Sequence, residues 1–352
     1  MRKPDSVSPR ASGNGQEVQA PLYISFEDNR LLPDLFGQHD QNLARIELAL
    51  GVLVTCRGNQ LALTGPVGAV DVAKKVFLEL YELLERNFPV GPAEVEAALR
   101  IHSSSAGNEI ETSKTQSFIQ TPKRKILARS PNQVSYVQAL KEAELVFGIG
   151  PAGTGKTYLA VAVALSLMAR GHVEHLVLSR PAVEAGERLG FLPGDIREKV
   201  DPYLRPLYDA LYDMMPADKV NNYLQRGDVE IAPLAFMRGR TLSNAFIILD
   251  EAQNTTPVQM KMFLTRLGEN SRMAVTGDPS QVDLPRGMES GLAHALSVVG
   301  GLKDTRVVEF EDVDVVRHPL VTKIVRAYAS YEDKHNTGRR PVQSSLSSRD
   351  KS

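Results

Sequence analysis

Cysteine is nearly absent. Cys56 is the single one in 352 residues, which excludes an internal disulfide and any metal site built from several thiolates, and suits a reducing compartment such as the cytoplasm. Long apolar runs are missing as well. No stretch approaches the roughly 18 residues that a membrane-crossing helix needs, and the polar first twenty residues hold no apolar segment of a secretion signal. The reading is a cytoplasmic protein with no membrane partner. Charge of one sign is not in excess: the formal net charge is −1, so affinity for nucleic acid has to come from local patches. Histidines number seven, and the neighbours His172 and His175 lack a third ligand, so they read as surface side chains.

What the chain does contain is a glycine loop. Gly150, Pro151, Ala152, Gly153, Thr154, Gly155, Lys156 and Thr157 satisfy G-x-x-x-x-G-K-[ST]. The apolar run Leu145–Ile149 enters the loop as a strand, and Tyr158–Leu165 leaves it with a helical pattern of small residues. Glycines let successive backbone N–H groups turn onto an anion, and the helix start adds free amides and the positive end of its dipole. This loop would cradle the phosphates of ATP, with Lys156 on the β- and γ-phosphates and the Thr157 hydroxyl on Mg²⁺.

Upstream, residues 1–19 are rich in Ser, Gly and Pro and read as a disordered tail. Residues 20–102 follow the order β-α-α-β-β-α, with strands at 22–26, 52–56 and 60–64, helices at 31–36 and 42–50, and a long helix over 67–88. That order resembles a KH domain, a small α+β clamp for single-stranded RNA or DNA built around a GXXG loop. The loop here, Gly37-Gln-His-Asp40, has an aspartate in place of the second glycine, where a carboxylate would repel phosphates. The segment 20–102 carries seven Lys and Arg against eleven Asp and Glu. RNA binding and docking to a protein therefore both stay open for it. Residues 103–130 read as a linker, Ser/Thr/Gln-rich, with a basic end at Lys123, Arg124, Lys125 and Arg129 that is the best local candidate for a nucleic-acid backbone contact.

From 131 to 331 strands alternate with helices. Apolar strands at 145–149, 175–179, 229–232, 245–249, 273–276 and 306–310 predict an open, mostly parallel sheet covered on both faces. Ligands bind such sheets at the carboxyl ends of the strands. The run Phe246–Leu249 delivers Asp250 at its tip, placed to hold Mg²⁺, and Glu251, placed to polarise the attacking water as general base. An adjacent glutamate points to an ATPase rather than a kinase, whose base sits beside an acceptor hydroxyl. The next strand ends in Thr276-Gly-Asp-Pro-Ser-Gln281, and the neutral amide of Gln281 is a candidate sensor of the γ-phosphate. Gln133, before the loop, offers a donor and an acceptor together to an adenine edge. From Glu332 to Ser352 the chain is again Ser/Arg/Lys-rich and reads as a disordered tail.

Several longer segments carry a specific resemblance. Gly148–Ala160, Arg180-Pro-Ala-Val-Glu-Ala-Gly-Glu187, Leu189–Asp195, Phe236–Thr241, Asp250-Glu-Ala-Gln-Asn254 and Thr276–Gln281 together resemble the PhoH family of ATPases. The resemblance spans about residues 120–330, and the KH-like segment fits the family's common bacterial form. It implies a P-loop NTPase domain of the RecA and superfamily 1 helicase type, with Gln133 on adenine, Asp250 and Glu251 as the Mg²⁺ and base pair, and Gln281 as γ-phosphate sensor. It also implies a link to RNA metabolism.

A helicase motor closes two such domains around ATP, and about fifty ordered residues after Gln281 are too few for a second. An arginine acting on the transition state then comes from a neighbouring subunit, with Arg317, Arg238 and Arg240 as candidates, which predicts a homo-oligomer, a ring, with ATP at the interface. Arg317 would alternatively cap a helix beginning near His318-Pro319, and the Arg238 and Arg240 pair would bind a carboxylate such as Glu184 or Glu187. Two functions follow: an ATP-hydrolysing motor or remodeller acting on RNA, or a nucleotide-dependent module that docks an RNA-processing protein with slow turnover.

Overall fold

The computed structural model describes residues 20–103, 118–181, 196–285 and 287–316, with six further positions between Leu320 and Tyr331. The expected tails at 1–19 and 332–352, the first part of the expected linker, Glu184, Glu187, Leu189–Asp195 and Arg317 lie outside the described residues.

The N-terminal unit runs β1 (Leu22–Ser25), α1 (Leu32–Phe36), α2 (Gln41–Leu50), β2 (Leu53–Arg57), β3 (Gln60–Thr64), α3 (Val67–Glu85) and α4 (Pro92–Ser103). Its strands pair antiparallel in the order β1-β3-β2. Leu61 and Leu63, two apart on β3, point to one face and meet Val76, Phe77 and Leu80 from one stripe of α3. The expected element order is present, and α4 extends it. That helix carries a short and weak apolar stripe, Val95, Ala97 and Ala98. The Gly37–Asp40 segment is a tight 3-10 turn in which His39 and Asp40 both take left-handed backbone angles.

The basic end of the segment read as linker is ordered. β4 (Phe118–Gln120) and β5 (Lys125–Leu127) form an antiparallel hairpin. Alternation along the strands sends Ile119 and Ile126 into the core of the following domain while Phe118 and Leu127 pack on the N-terminal one. The four cations expected to meet nucleic acid have partners inside the chain. Lys123 Nζ donates to Tyr212 O at 2.9 Å, and Arg124 pairs with Asp213 at 2.8 Å. Lys125 donates to Arg86 O and lies 4.5 Å from the Phe88 ring centre, and Arg129 lies 3.6 Å from Glu94.

The remainder is a three-layer α/β domain. Six strands, β6 (Leu145–Ile149), β7 (His175–Arg180), β8 (Val229–Pro233), β9 (Ala245–Leu249), β10 (Arg272–Gly277) and β11 (Thr305–Glu309), pair in parallel in the order β11-β6-β10-β9-β7-β8. Each strand expected from the sequence is among them. Val146, Leu176, Leu178, Phe246, Ile248 and Ala274 face α5 (Pro131–Glu142), α6 (Lys156–Ala169), α7 (Ile196–Met214) and α8 (Ala217–Arg226). Their strand neighbours Phe147, Val177, Ile247, Leu249, Met273 and Val275 face α9 (Pro257–Leu264) and α10 (Gly291–Val299). A strand covered on both sides has no polar face to keep, which is why Ala245–Leu249 is apolar and buried at all five positions.

Candidate functional site

All the charged segments sit at the carboxyl edge of this sheet. The loop from β6 crosses to the start of α6, and its ends demand glycine. Gly150 has φ 135°, and a Cβ there would lie 2.3 Å from the Phe310 carbonyl oxygen. Gly155, at φ 83°, turns the chain into α6. Within the loop Lys156, only 8% exposed, sends its ammonium to the carbonyls of Gly150 at 2.6 Å and Pro151 at 2.7 Å. Thr154 Oγ1 donates to Pro151 O at 3.0 Å.

Thr157 is the first side chain of the helix to face the sheet. Its hydroxyl donates to Asp250 Oδ1 at 2.5 Å, and Thr276 Oγ1, at the tip of β10, donates to the same oxygen at 2.8 Å. Asp250 is 7% exposed, and its own N–H bonds Ser179 O at 2.9 Å, pinning it against the neighbouring strand. Three oxygens from three separated segments thus converge. Glu251 follows in a left-handed conformation, φ 52° and ψ 40°, which costs a non-glycine residue about 1–3 kcal/mol. Gln253 Nε2 donates to Glu251 Oε2 at 2.6 Å, and Arg180 Nη2 lies 3.2 Å from Oε1. Gln281 is held by Asp278, whose Oδ2 accepts its amide at 2.6 Å.

Lys156, Thr157, Asp250, Glu251 and Gln281 line one cleft of about 250 Å³ with the glycines of the loop. Gln133 stands behind it. Its side chain, 4% exposed, donates to Thr154 O at 2.9 Å and accepts the Arg129 N–H at 2.6 Å, so both halves of the amide brace the phosphate loop. Arg240 forks onto Glu230, with contacts of 2.7 and 2.6 Å, while Glu184 and Glu187 lie outside the described residues. Arg238 is exposed just past the 3-10 turn Leu234–Met237 that follows β8.

The site also uses residues to which the sequence reading gave no role, namely Thr276, Asp278, Arg180, Gln253 and the pair Tyr158 and Asp213. Each lies at or within a few residues of a strand tip or the loop, or on α7 beside it. Strand-tip position was the available signal. Tyr158 donates to Asp213 Oδ2 at 2.6 Å, and burial together with that bond pushes its phenol up to about 12. Burial, and then the Asp250 charge, raises the Tyr136 phenol beneath the loop.

A glycine loop between a buried strand and a helix start, facing a carboxylate and two hydroxyls across the tips of a parallel sheet, defines a P-loop nucleoside-triphosphatase domain. The family model described as PhoH-like protein matches residues 125–329. A PhoH-like protein of Bacillus subtilis is 48% identical over 303 residues, covering 86% of this chain and 94% of that protein. A PhoH-like protein of Mycobacterium tuberculosis is 47% identical over 303 residues, 86% of each. Protein PhoH of Escherichia coli K12 is 47% identical over 206 residues, 58% of each. The chain belongs to the PhoH-like protein family. Among solved structures, the Sulfolobus solfataricus SWI2/SNF2 ATPase core in complex with dsDNA aligns at a TM-score of 0.35 and 12% identity. It covers 64% of this chain and 56% of that one, a likeness too slight to argue from. Among the described residues no helix is long and apolar enough to cross a membrane.

Proposed function

We propose that the chain binds ATP with Mg²⁺ in this cleft and hydrolyses it, coupled to work on RNA. The observation that carries the reading is the 2.5 Å contact between Thr157 Oγ1 and Asp250 Oδ1, which joins the phosphate loop to the acidic strand tip. Their donor set fits Mg²⁺, a hard cation that takes one carboxylate and a hydroxyl and shares the rest of its shell with phosphate and water. When bound, the ion would neutralise charge on the β- and γ-phosphates, with Thr157 and Asp250 holding it.

The chain's own groups do the rest. Loop amides and the start of α6 receive the phosphate oxygens, and the Lys156 ammonium exchanges the carbonyls of Gly150 and Pro151 for them. Glu251 takes a proton from the attacking water as its oxygen bonds the γ-phosphorus. The bond from that phosphorus to the bridging oxygen breaks, and ADP leaves with the electron pair. Gln281 senses the γ-phosphate, and Gln133 braces the loop from behind through Thr154 O and the Arg129 N–H, the family resemblance assigning it to the adenine edge as well. Of the two described candidates Arg240 is engaged with Glu230, which leaves Arg238, exposed, to reach a neighbouring copy's site in an oligomeric ring.

The alternative, a slow nucleotide-dependent docking module, is favoured by one observation: Lys123, Arg124, Lys125 and Arg129 all have partners within the chain. ATPase assays with and without single-stranded RNA, and RNA binding across a salt series, decide between them. A motor on RNA shows stimulated turnover and an affinity that falls steeply with salt. Unstimulated turnover with no RNA binding leaves the docking module, with the KH-like unit as its protein-facing surface.

A further inference from the structure

Glu251 is a long side chain at the mouth of the cleft, 36% exposed. Left to itself a glutamate in that position samples several rotamers, and a general base must be held. Among the described residues two donors hold this one, each on a different oxygen. Gln253 Nε2 takes Oε2 at 2.6 Å, and Arg180 Nη2 stands 3.2 Å from Oε1. A carboxylate oxygen has two acceptor positions, so one donor on each leaves room for a water.

Both anchors are themselves fixed. Arg180 is the last residue of β7, whose Ser179 pairs in register with Leu249, so it stands beside Asp250 at the same edge. Its other terminal nitrogen donates to Tyr203 O on α7 at 3.2 Å. Gln253 accepts the Asp278 N–H at 3.1 Å and directs its amide nitrogen also to Gln281 O at 3.2 Å. The tips of β7, β9 and β10 are thereby tied together through one carboxylate. A guanidinium can bridge a carboxylate and a backbone carbonyl at once with its planar fork; a lysine ammonium is a point charge on a flexible stem.

We propose that Arg180 is a positioning residue for hydrolysis: together with Gln253 it fixes the Glu251 carboxylate where it can take a proton from water. This rests on the reading of Glu251 as the general base. Arg180 acts through Glu251 and not on the nucleotide, so its loss lowers turnover and spares ATP affinity.

The test compares full-length Arg180→Ala, Arg180→Lys, Glu251→Gln and the double variant Arg180→Ala/Glu251→Gln. The readouts are kcat, equilibrium binding of a fluorescent ATP analogue and thermal midpoint. Arg180→Ala is expected to lower kcat about tenfold or more with analogue affinity within about twofold of native. Arg180→Lys recovers part of the loss. In the double variant turnover falls no further than in Glu251→Gln alone, because the two residues act as a unit. Native turnover in Arg180→Ala beside an inactive Glu251→Gln overturns the proposal and leaves the general base standing. So does a parallel loss of analogue affinity, or additive losses in the double variant. Native turnover in Glu251→Gln overturns the general base itself, and the role of Arg180 with it.

Discussion

Asp250 offers a way to separate charge from hydrogen bonding at the centre of the site. Both hydroxyl bonds, from Thr157 at 2.5 Å and Thr276 at 2.8 Å, fall on Oδ1. Asp250→Asn keeps an oxygen there and keeps both bonds, whereas Asp250→Ala removes both. Thr276 is fully buried, and its other partners, Thr157 Oγ1 at 3.3 Å and Leu249 O at 3.4 Å, are both long. A bond to the neutral asparagine oxygen contributes about 0.5–1.5 kcal/mol, a buried Thr276 hydroxyl left without it costs about 1–3 kcal/mol, and the half-buried Thr157 hydroxyl can turn to water. Alanine should then cost about 2–4 kcal/mol more than asparagine, roughly 5–15 °C in thermal midpoint for a domain of this size. Asparagine has lost the charge that draws the cation, so the Mg²⁺ concentration for half-maximal ATPase should rise about tenfold or more while the fold stays near native stability. Calorimetry and a Mg²⁺ titration read these two effects separately. Equal destabilisation by both substitutions would refute the hydrogen-bond account, and an unchanged Mg²⁺ requirement in Asp250→Asn would refute the metal-holding role.

Lys156→Ala should abolish measurable ATP binding, whereas Glu251→Gln should bind ATP, retain it and hydrolyse it roughly a hundredfold or more slowly; filter retention of labelled ATP distinguishes the two. Gly150→Ala places a methyl 2.3 Å from the Phe310 carbonyl oxygen at a φ of 135°. It should lower the melting temperature and ATP affinity together, since the backbone and not a flexible side chain has to move. Arg238→Ala should abolish turnover without loss of ATP binding, and mixing it with Lys156→Ala should restore activity through shared interfaces. Light scattering with and without ATP gives the accompanying oligomeric state; a monomer with full activity rules the in-trans arginine out.

What the sequence determined by itself is local. Glycines at 150, 153 and 155 followed by Lys156 and Thr157 specify a backbone path that few other residues permit, and five apolar residues before Asp250 specify a strand buried on both faces. Such features depend on φ, on side-chain period and on the polarity of neighbours along the chain, so they are legible without coordinates. All six strands and the two halves of the phosphate site were accessible in this way. The short hairpin at 118–127 was not, because three-residue strands carry almost no period, and their apolar residues divide between two cores. Nor could a run of cations at 123–129 show that its partners lay at Glu94, Arg86, Tyr212 and Asp213. Tertiary structure alone decided the strand order β11-β6-β10-β9-β7-β8, and with it which tips are neighbours. That order sets β7 against β9 and so brings Arg180 to Glu251, 71 positions apart in the chain. Strand order follows from burying both faces of the whole sheet at once, a condition on the assembled chain that no single segment records.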